Sequence, residues 1–420
     1  MHANDTEKAP QPADLHGLPT EETLLPDYDG LSIAAVPRLI AYAFGDAPQL
    51  PVALQSLWDR TWRSPPSRVV LLVLDGLGYL HLQELLAELP DLFLAECVDR
   101  GGMLPLTSVF PPTTASAMST LATGATPQVH GMLGYRLHLR ETKAITNMVR
   151  LTVHRDGRED SALAAGLDVD TFLGADTVYT RLRQLGVSSH VSLARQIAGS
   201  GLSQLLYGQA DGVHPVGSFT DLLVTARELL QQDGPRFVTL YWGSLDMTAH
   251  GYGPSNERYA AELRALDACL RQQLDAPGVD AALVVTADHG MVDMSAEDYV
   301  PLERIPGLQA ALRLPLVGEP RATYAHVAEG EIERAMESIA PLAELGLACV
   351  KTEDALQGGL FGGGPIAPEV RHRIGDLVIV STGRAGLFHA YPDAVRLRGM
   401  HGGLTPREMM VPLIFAPLGG

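Results

Sequence analysis

A chain of 420 residues, 46% hydrophobic and 19% charged, is long enough for one large core or two domains and has the composition of an ordinary globular protein. Its formal charge of −18 argues against the broad basic footprint of a protein that binds nucleic-acid polymers. Cys97, Cys269 and Cys349 are too few and too far apart for a disulfide framework or a thiolate zinc site, and they fit a reducing compartment, the cytoplasm.

Residues 1–30, rich in Pro, Asp, Glu and Thr and without the basic start and apolar core of a secretory signal, read as a mobile tail. Leu31–Phe44 is apolar but interrupted at Pro37 and Arg38, and is too short to span a bilayer, so no membrane partner is expected. Val69–Leu74 reads as a buried strand, followed by Asp75-Gly76. Pro111-Pro112 leads into Thr113-Thr114-Ala115-Ser116, at the start of a helix whose free N–H groups and dipole favour an anion such as phosphate. One of these hydroxyls serves as the helix cap in any case.

Residues 136–174 are polar and weakly periodic. Beyond them, helix and strand alternate: a helix over Ala175–Leu185, a strand over Ser188–Leu193, a helix over Asp221–Gln232, a strand over residues 237–242 and a long amphipathic helix over Asn256–Leu274, capped by Ser255 or Asn256. Strands are also expected at Ala282–Thr286, Leu377–Val380 and Met410–Phe415. The alternation predicts an α/β fold with a mostly parallel central sheet and helices on both faces. Residues 31–420 then form one domain. An insert at about 293–398, with glycine clusters at 358–359 and 362–364, folds over the ligand edge of the sheet as a smaller cap and can move as a lid.

Acidic and histidine residues recur where the strands end. Asp75 closes the first strand, Asp246-x-x-x-His250 follows the strand at 237–242, Asp288-His289-Gly290 follows Ala282–Thr286, and His401-Gly402-Gly403 comes near the C-terminus. Residues four apart share one helical face, so Asp246 and His250 can reach one cation. Each element by itself also reads as a helix cap or a structural histidine. Together they hold enough ligands for two divalent metals.

The ordered set Val73-Leu74-Asp75-Gly76, Thr114 through Thr123-Gly124, Pro127-x-x-His130-Gly131, Asp246-x-x-x-His250-x-x-Gly253, Asp288-His289-Gly290-Met291 and His401-Gly402 resembles the alkaline phosphatase superfamily, in its type I phosphodiesterase/nucleotide pyrophosphatase branch, with phosphonoacetate hydrolases nearby. The resemblance implies an alkaline phosphatase-like fold and a two-metal phosphohydrolase that acts on a small phosphate ester or anhydride. It implies that Asp75, Thr114, Asp288 and His289 hold one metal, and that Asp246, His250 and His401 hold the other. It further implies that Thr114 is the nucleophile, forming a phosphothreonine, with Thr113 and Ser116 as its competitors, and that His130 steadies a loop.

The mixed carboxylate–imidazole set points to zinc, with manganese or iron as alternatives. The family pattern places an Asn three residues after the nucleophile, where this chain has Ala117. Arg384, Arg398, Tyr135 and His214 are the candidates to replace that donor. Two other functions fit the same ligands: a phosphomutase-type isomerase of the superfamily, and a metal-stabilised binding protein without turnover. A sulfatase is disfavoured, because Cys97-Val98-Asp99-Arg100 is not the motif it requires.

Overall fold

The computed structural model describes Leu18 and residues 23–275, 281–388 and 397–419. Its centre is a seven-stranded sheet in the order β2-β18-β9-β1-β8-β6-β7. The strands are β1 (Arg68–Leu74), β2 (Gly102–Thr107), β6 (Ser188–Ala194), β7 (Gly212–Val216), β8 (Arg236–Trp242), β9 (Ala281–Thr286) and β18 (Met410–Leu418). Six run in one direction; β18 is antiparallel to both of its neighbours, β2 and β9. Val69–Leu74 and Ala281–Thr286 are buried throughout, as strands covered by helices on both faces must be. The fold is therefore the mixed α/β class read from the alternation of elements.

Element boundaries follow local chemistry. The long helix is Glu257–Leu274, and Asn256 rather than Ser255 caps it, its side chain accepting from the Arg258 N–H. Tyr259, Leu263, Leu266, Leu270 and Leu274 form its buried face. The helix expected at Asp221–Gln232 begins earlier, at Phe219, because Ser218 supplies the cap. The helix expected at Ala175–Leu185 is shorter, Val178–Gln184. Leu31–Phe44 contains a helix, Ala35–Ala43, buried against the core. No helix among the described residues is long and apolar enough to cross a membrane.

Residues 1–17 and 19–22 of the expected tail lie outside the described residues. Residues 23–30 are bonded to the body: the Leu24 N–H donates to the Leu404 carbonyl at 2.8 Å, and the Tyr28 hydroxyl accepts from the Phe110 N–H at 3.0 Å.

Two smaller sheets flank the central one. Residues 136–153 form an antiparallel sheet of β3 (Arg136–Leu139), β4 (Ala144–Asn147) and β5 (Thr152–Val153). The region after β9 contains a four-stranded sheet in the order β12-β13-β15-β14, made of β12 (Val317–Glu319), β13 (Ala322–Ala325), β14 (Leu347–Lys351) and β15 (Leu377–Ser381). Two short pairings complete the region. β10 (Val292–Asp293) lies against β17 (Gly399–Met400), and β11 (Tyr299–Pro301) lies against β16 (Gly386–Phe388). Leu377–Val380, expected as a strand, belongs to this small sheet and not to the central one. It is the middle of the small sheet, buried between β13 and β14.

A buried ion pair fastens this region to the C-terminal segment. Arg321 and Glu408 are both fully buried, and the Arg321 guanidinium meets the Glu408 carboxylate at 2.5 and 2.7 Å. The same carboxylate accepts from the Gly403 N–H at 2.8 Å, two residues after His401. Removing one member of such a pair leaves an unpaired charge in the interior. Arg321→Met should therefore lower unfolding free energy by about 3–5 kcal/mol, measured by denaturant unfolding. Arg321→Met/Glu408→Leu should recover part of that loss.

Candidate metal centre

The carboxyl ends of β9, β1 and β8 lie side by side in the sheet, and each delivers an acid to the same edge. Asp75 follows β1, Asp288 follows β9, and Asp246 sits in the first turn of the helix Ser244–Tyr252 that follows β8. Gly76 makes the closeness of Asp75 and Asp246 possible. Its φ is +77°, and a Cβ there would lie 3.0 Å from the Asp246 Cα, so only glycine fits. The Gly76 N–H also donates to Asp288 Oδ1 at 3.2 Å.

Two groups of potential ligands result. Asp75, Asp288 and His289 form one, fully buried, and Asp246, His250 and His401 form the other, at the pocket floor. Within each group the ligand atoms lie within 4.8 Å of one another. In the first, His289 Nε2 is 3.5 Å from Asp75 Oδ1 and 3.3 Å from Asp288 Oδ2. In the second, Asp246 Oδ1 is 3.3 Å from His250 Nε2 and 4.0 Å from His401 Nε2. The groups adjoin, because the His289 and His401 rings stack with centres 3.6 Å apart.

Each imidazole is held the same way. The Nδ1 atoms of His250, His289 and His401 lie on the backbone carbonyls of Gly399, Gly290 and Pro112 at 2.8, 3.1 and 2.9 Å. A proton on Nδ1 leaves the Nε2 lone pair turned toward the carboxylates, as a ligating histidine requires.

The electrostatics are those of a cation site. Asp75 Oδ1, Asp246 Oδ1 and Asp288 Oδ2 are buried without any hydrogen-bond partner. Burial, with the nearby charges of Asp288 and Asp246, pushes the Asp75 carboxyl well above the ordinary aspartate range. Burial and the neighbouring His289 and His250 hold His401 well below the ordinary histidine range, so its ring is neutral. Orphaned carboxylate oxygens beside imidazoles whose Nδ1 atoms lie on carbonyls fit a divalent metal.

Thr114 is the first residue of the helix Thr114–Thr123, and its Oγ1 is 3.4 Å from His289 Nε2. The three neighbouring hydroxyls are thus distinct in position. Thr113 occupies the cap position, yet its side chain makes no cap bond and pairs instead with the Glu319 carboxyl. Ser116 is fully buried. Only Thr114 of the three both borders the pocket and reaches a cluster histidine.

His130 lies apart from the metal groups: its Nδ1 accepts from the Met132 N–H at 3.0 Å and its Nε2 meets the Thr120 hydroxyl at 3.0 Å, bracing the turn after this helix. Burial and the Arg373 charge hold it down to about 3.

A cavity of ≈ 670 Å³ opens over Thr114, Asp246, His250 and His401. Its walls include Tyr135, Arg136, Val149, Met247, Glu319, Pro320, Leu397 and Met400. Ala117 is fully buried in the hydrophobic core, so a donor at that position would not face the cavity. Of the four proposed replacements, Tyr135 lines it. Arg384 points to Asp298, His214 on the distant edge strand β7 pairs with His190 of β6, and Arg398 is exposed outside the lining. The glycine cluster near 360 is also not part of the wall. It crosses closely over residues 126–129, with the Thr126 hydroxyl on the Gly363 carbonyl at 2.8 Å.

Three residues of the site escaped the sequence reading. The Tyr241 hydroxyl donates to Asp75 Oδ2. Its signal was a phenol near the end of an apolar strand, which needs a partner when it is covered. Glu319, buried beside Thr113 and pushed up to about 8 by burial, had no signal outside its insert. Arg136 opens a stretch whose polarity alone carries no sign of a site.

A family model for type I phosphodiesterase/nucleotide pyrophosphatase matches residues 69–404. No curated protein matches the chain significantly. Among solved structures, human ectonucleotide pyrophosphatase/phosphodiesterase 5 aligns with a TM-score of 0.61 at 18% identity, covering 83% of this chain and 87% of that one. An inactive variant of the murine protein in complex with AMP aligns with a TM-score of 0.59 at 18% identity, covering 84% and 88%. Phosphonoacetate hydrolase from Sinorhizobium meliloti 1021 in complex with phosphonoformate aligns with a TM-score of 0.62 at 22% identity, covering 84% and 91%.

The raised carboxyl of Asp75 has a measurable consequence. In metal-stripped protein the folded state keeps a proton that the unfolded chain releases near pH 4. The folded state then binds more protons than the unfolded one, so this group's contribution to stability falls as pH rises from about 4 upward. With chelator present, the wild-type thermal midpoint should fall from pH 5 to 8 relative to that of Asp75→Asn, and a divalent cation at pH 8 should reverse the loss. From the ordered acidic and histidine elements, the fold and the matching model, the chain belongs to the type I phosphodiesterase/nucleotide pyrophosphatase family, phosphoric ester hydrolases of the alkaline phosphatase superfamily.

Proposed function

We propose that this protein is a two-metal phosphodiesterase or nucleotide pyrophosphatase that acts through a phosphothreonine on Thr114. The observation that carries the reading is the place of Thr114. Its hydroxyl stands at a helix N-terminus, at the mouth of the cavity, beside the point where the two acid–imidazole groups meet. Asp75, Asp288 and His289, with Thr114, would hold one cation, and Asp246, His250 and His401 the other. When bound, paired divalent cations supply positive charge to the attacking and leaving oxygens of an in-line displacement. The donor set of carboxylates and imidazoles without thiolate favours zinc.

The chain's own residues account for the rest. The first N–H groups of the helix Thr114–Thr123 face the cavity end and stabilise phosphoryl oxygens. The carbonyls of Gly399, Gly290 and Pro112 keep the three imidazoles turned inward, and Tyr241 orients Asp75. Val149, Met247, Leu397 and Met400 give the outer cavity an apolar surface, with Tyr135 and Arg136 as polar groups on its wall. That combination suits an organic group carried by the phosphorus better than bare phosphate. The AMP and phosphonoformate in the murine and bacterial complexes are small phosphorus oxyanions of that kind. Three free cysteines agree with a cytoplasmic location.

Thr114→Ala should reduce kcat on bis-p-nitrophenyl phosphate by about 10³-fold or more. It should move unfolding free energy by less than about 1 kcal/mol, because Thr113, not Thr114, holds the cap position. Near-normal turnover in Thr114→Ala with loss in Thr113→Ala would move the nucleophile. Among p-nitrophenyl phosphate, the bis-p-nitrophenyl diester, a nucleotide sugar and phosphonoacetate, the diester and the nucleotide sugar should be turned over fastest, and chelation should abolish turnover until zinc is restored.

A further inference from the structure

Outside the catalytic cavity, three histidines from three elements meet where the β3–β4 hairpin touches the insert. His138 lies on β3, His326 directly follows β13, and His372 lies in the helix Val370–Ile374. The His138 ring centre is 4.8 Å from that of His372 and 5.6 Å from that of His326. Two imidazoles on one zinc, with nitrogens at about 2.0–2.1 Å and a tetrahedral angle between them, have ring centres roughly 5 Å apart. In the catalytic group, His250 and His401 are 5.2 Å apart.

The same mark that singles out the catalytic acids recurs here. His138 Nδ1, His326 Nδ1 and His372 Nε2 are buried atoms without a partner. His326, 2% exposed, places its Nε2 on the His372 carbonyl at 2.8 Å, so Nε2 carries the proton and the orphaned Nδ1 is a lone pair. Two carboxylates stand in electrostatic reach of His372. Glu141 gives one oxygen to Arg373 and Glu369 gives one to Arg140, and the second oxygen of each is buried and unpartnered. Five orphaned ligand atoms in one cluster, on residues that include three imidazoles, are costly unless something binds them.

We infer that His138, His326 and His372, with Glu141 or Glu369, form a further divalent-metal site of the zinc class, which ties the hairpin to the insert. The ring nitrogens do not converge on one point in this structure as those of the catalytic groups do, so binding requires rotation of the partly exposed His138 and His372 side chains. Burial, the other two rings and Arg313 hold His138 down to about 4, and His326 and His372 lie below their ordinary values, so all three are neutral at pH 7 and free to ligate. The site stands two residues beyond Arg136 of the cavity wall. A metal there would hold that wall against the insert without touching the reaction.

The full chain should be dialysed against zinc chloride and its zinc content determined beside His138→Ala and His372→Gln. Each variant should bind one zinc per chain fewer than wild type while retaining its circular dichroism and its turnover number. Equal zinc content in wild type and both variants overturns the site. Because the comparison is a difference, it holds whether the catalytic groups bind two cations or none. Should a variant misfold, crystals of the wild-type chain soaked in zinc decide the matter. An anomalous peak among the three rings is expected, and peaks confined to the acid–histidine groups would overturn it.

Discussion

Everything at the catalytic edge depends on the mutual repulsion of three carboxylates. Asp75, Asp246 and Asp288 are brought together by the parallel pairing of β9, β1 and β8, and two of them are removed from water. Such a cluster is unfavourable unless protons or cations neutralise it. Among the described residues neither acid–histidine group includes a lysine or arginine; a phenol and a threonine hydroxyl adjoin them. The sheet thus holds a charge deficit at one point, and the helix Thr114–Thr123 adds a positive dipole end beside it. On the proposed function, an anionic phosphate and its counter-cations would complete the balance together.

The supporting contacts serve the orientation of this cluster more than its composition. Three separate carbonyls take Nδ1 of three histidines, and each comes from a different segment: Pro112 before the helix Thr114–Thr123, Gly290 after β9 and Gly399 on β17. The last ties His250 to the strand that His401 directly follows. Behind His401, Glu408 binds both the Gly403 N–H and Arg321, so the small sheet, the C-terminal segment and the second ligand group share one buried anchor. Glu319 of the same sheet reaches Thr113. The insert is therefore bonded through this sheet to both the Thr113 turn and the His401 turn, which leaves little freedom there for a lid.

Most of the catalytic edge was legible because it is local. An acid directly after a run of β-branched and leucine residues announces both the strand and its exit, and the four-residue spacing of Asp246 and His250 belongs to one helical turn. What was not legible depends on partners far away in sequence. Leu377–Val380 has the pattern of any buried strand, and only its pairing with Thr323 and Cys349 neighbours assigns it to the small sheet. Ala117 looked like a lost donor because a position three residues into a helix can face either way, and here it faces the core. Tyr241, Glu319 and the Arg321–Glu408 pair are polar groups whose meaning exists only once distant segments are packed against them.

The place of β18 has a consequence for how the molecule is made. This strand is the last regular element of the chain, and it lies between β9 and β2. Among the described residues β2 pairs with no other strand of the sheet, and only its last residue, Thr107, bridges Ser32. During synthesis, three hundred residues after β2 has left the ribosome, its backbone is still waiting for a partner, and β9 still has an open edge. The sheet closes only once β18 has been made. A chain cut before β18 would lose more than a strand. It would present two adhesive edges to other nascent chains, so ribosome stalling or proteolysis ahead of β18 is a route to aggregation.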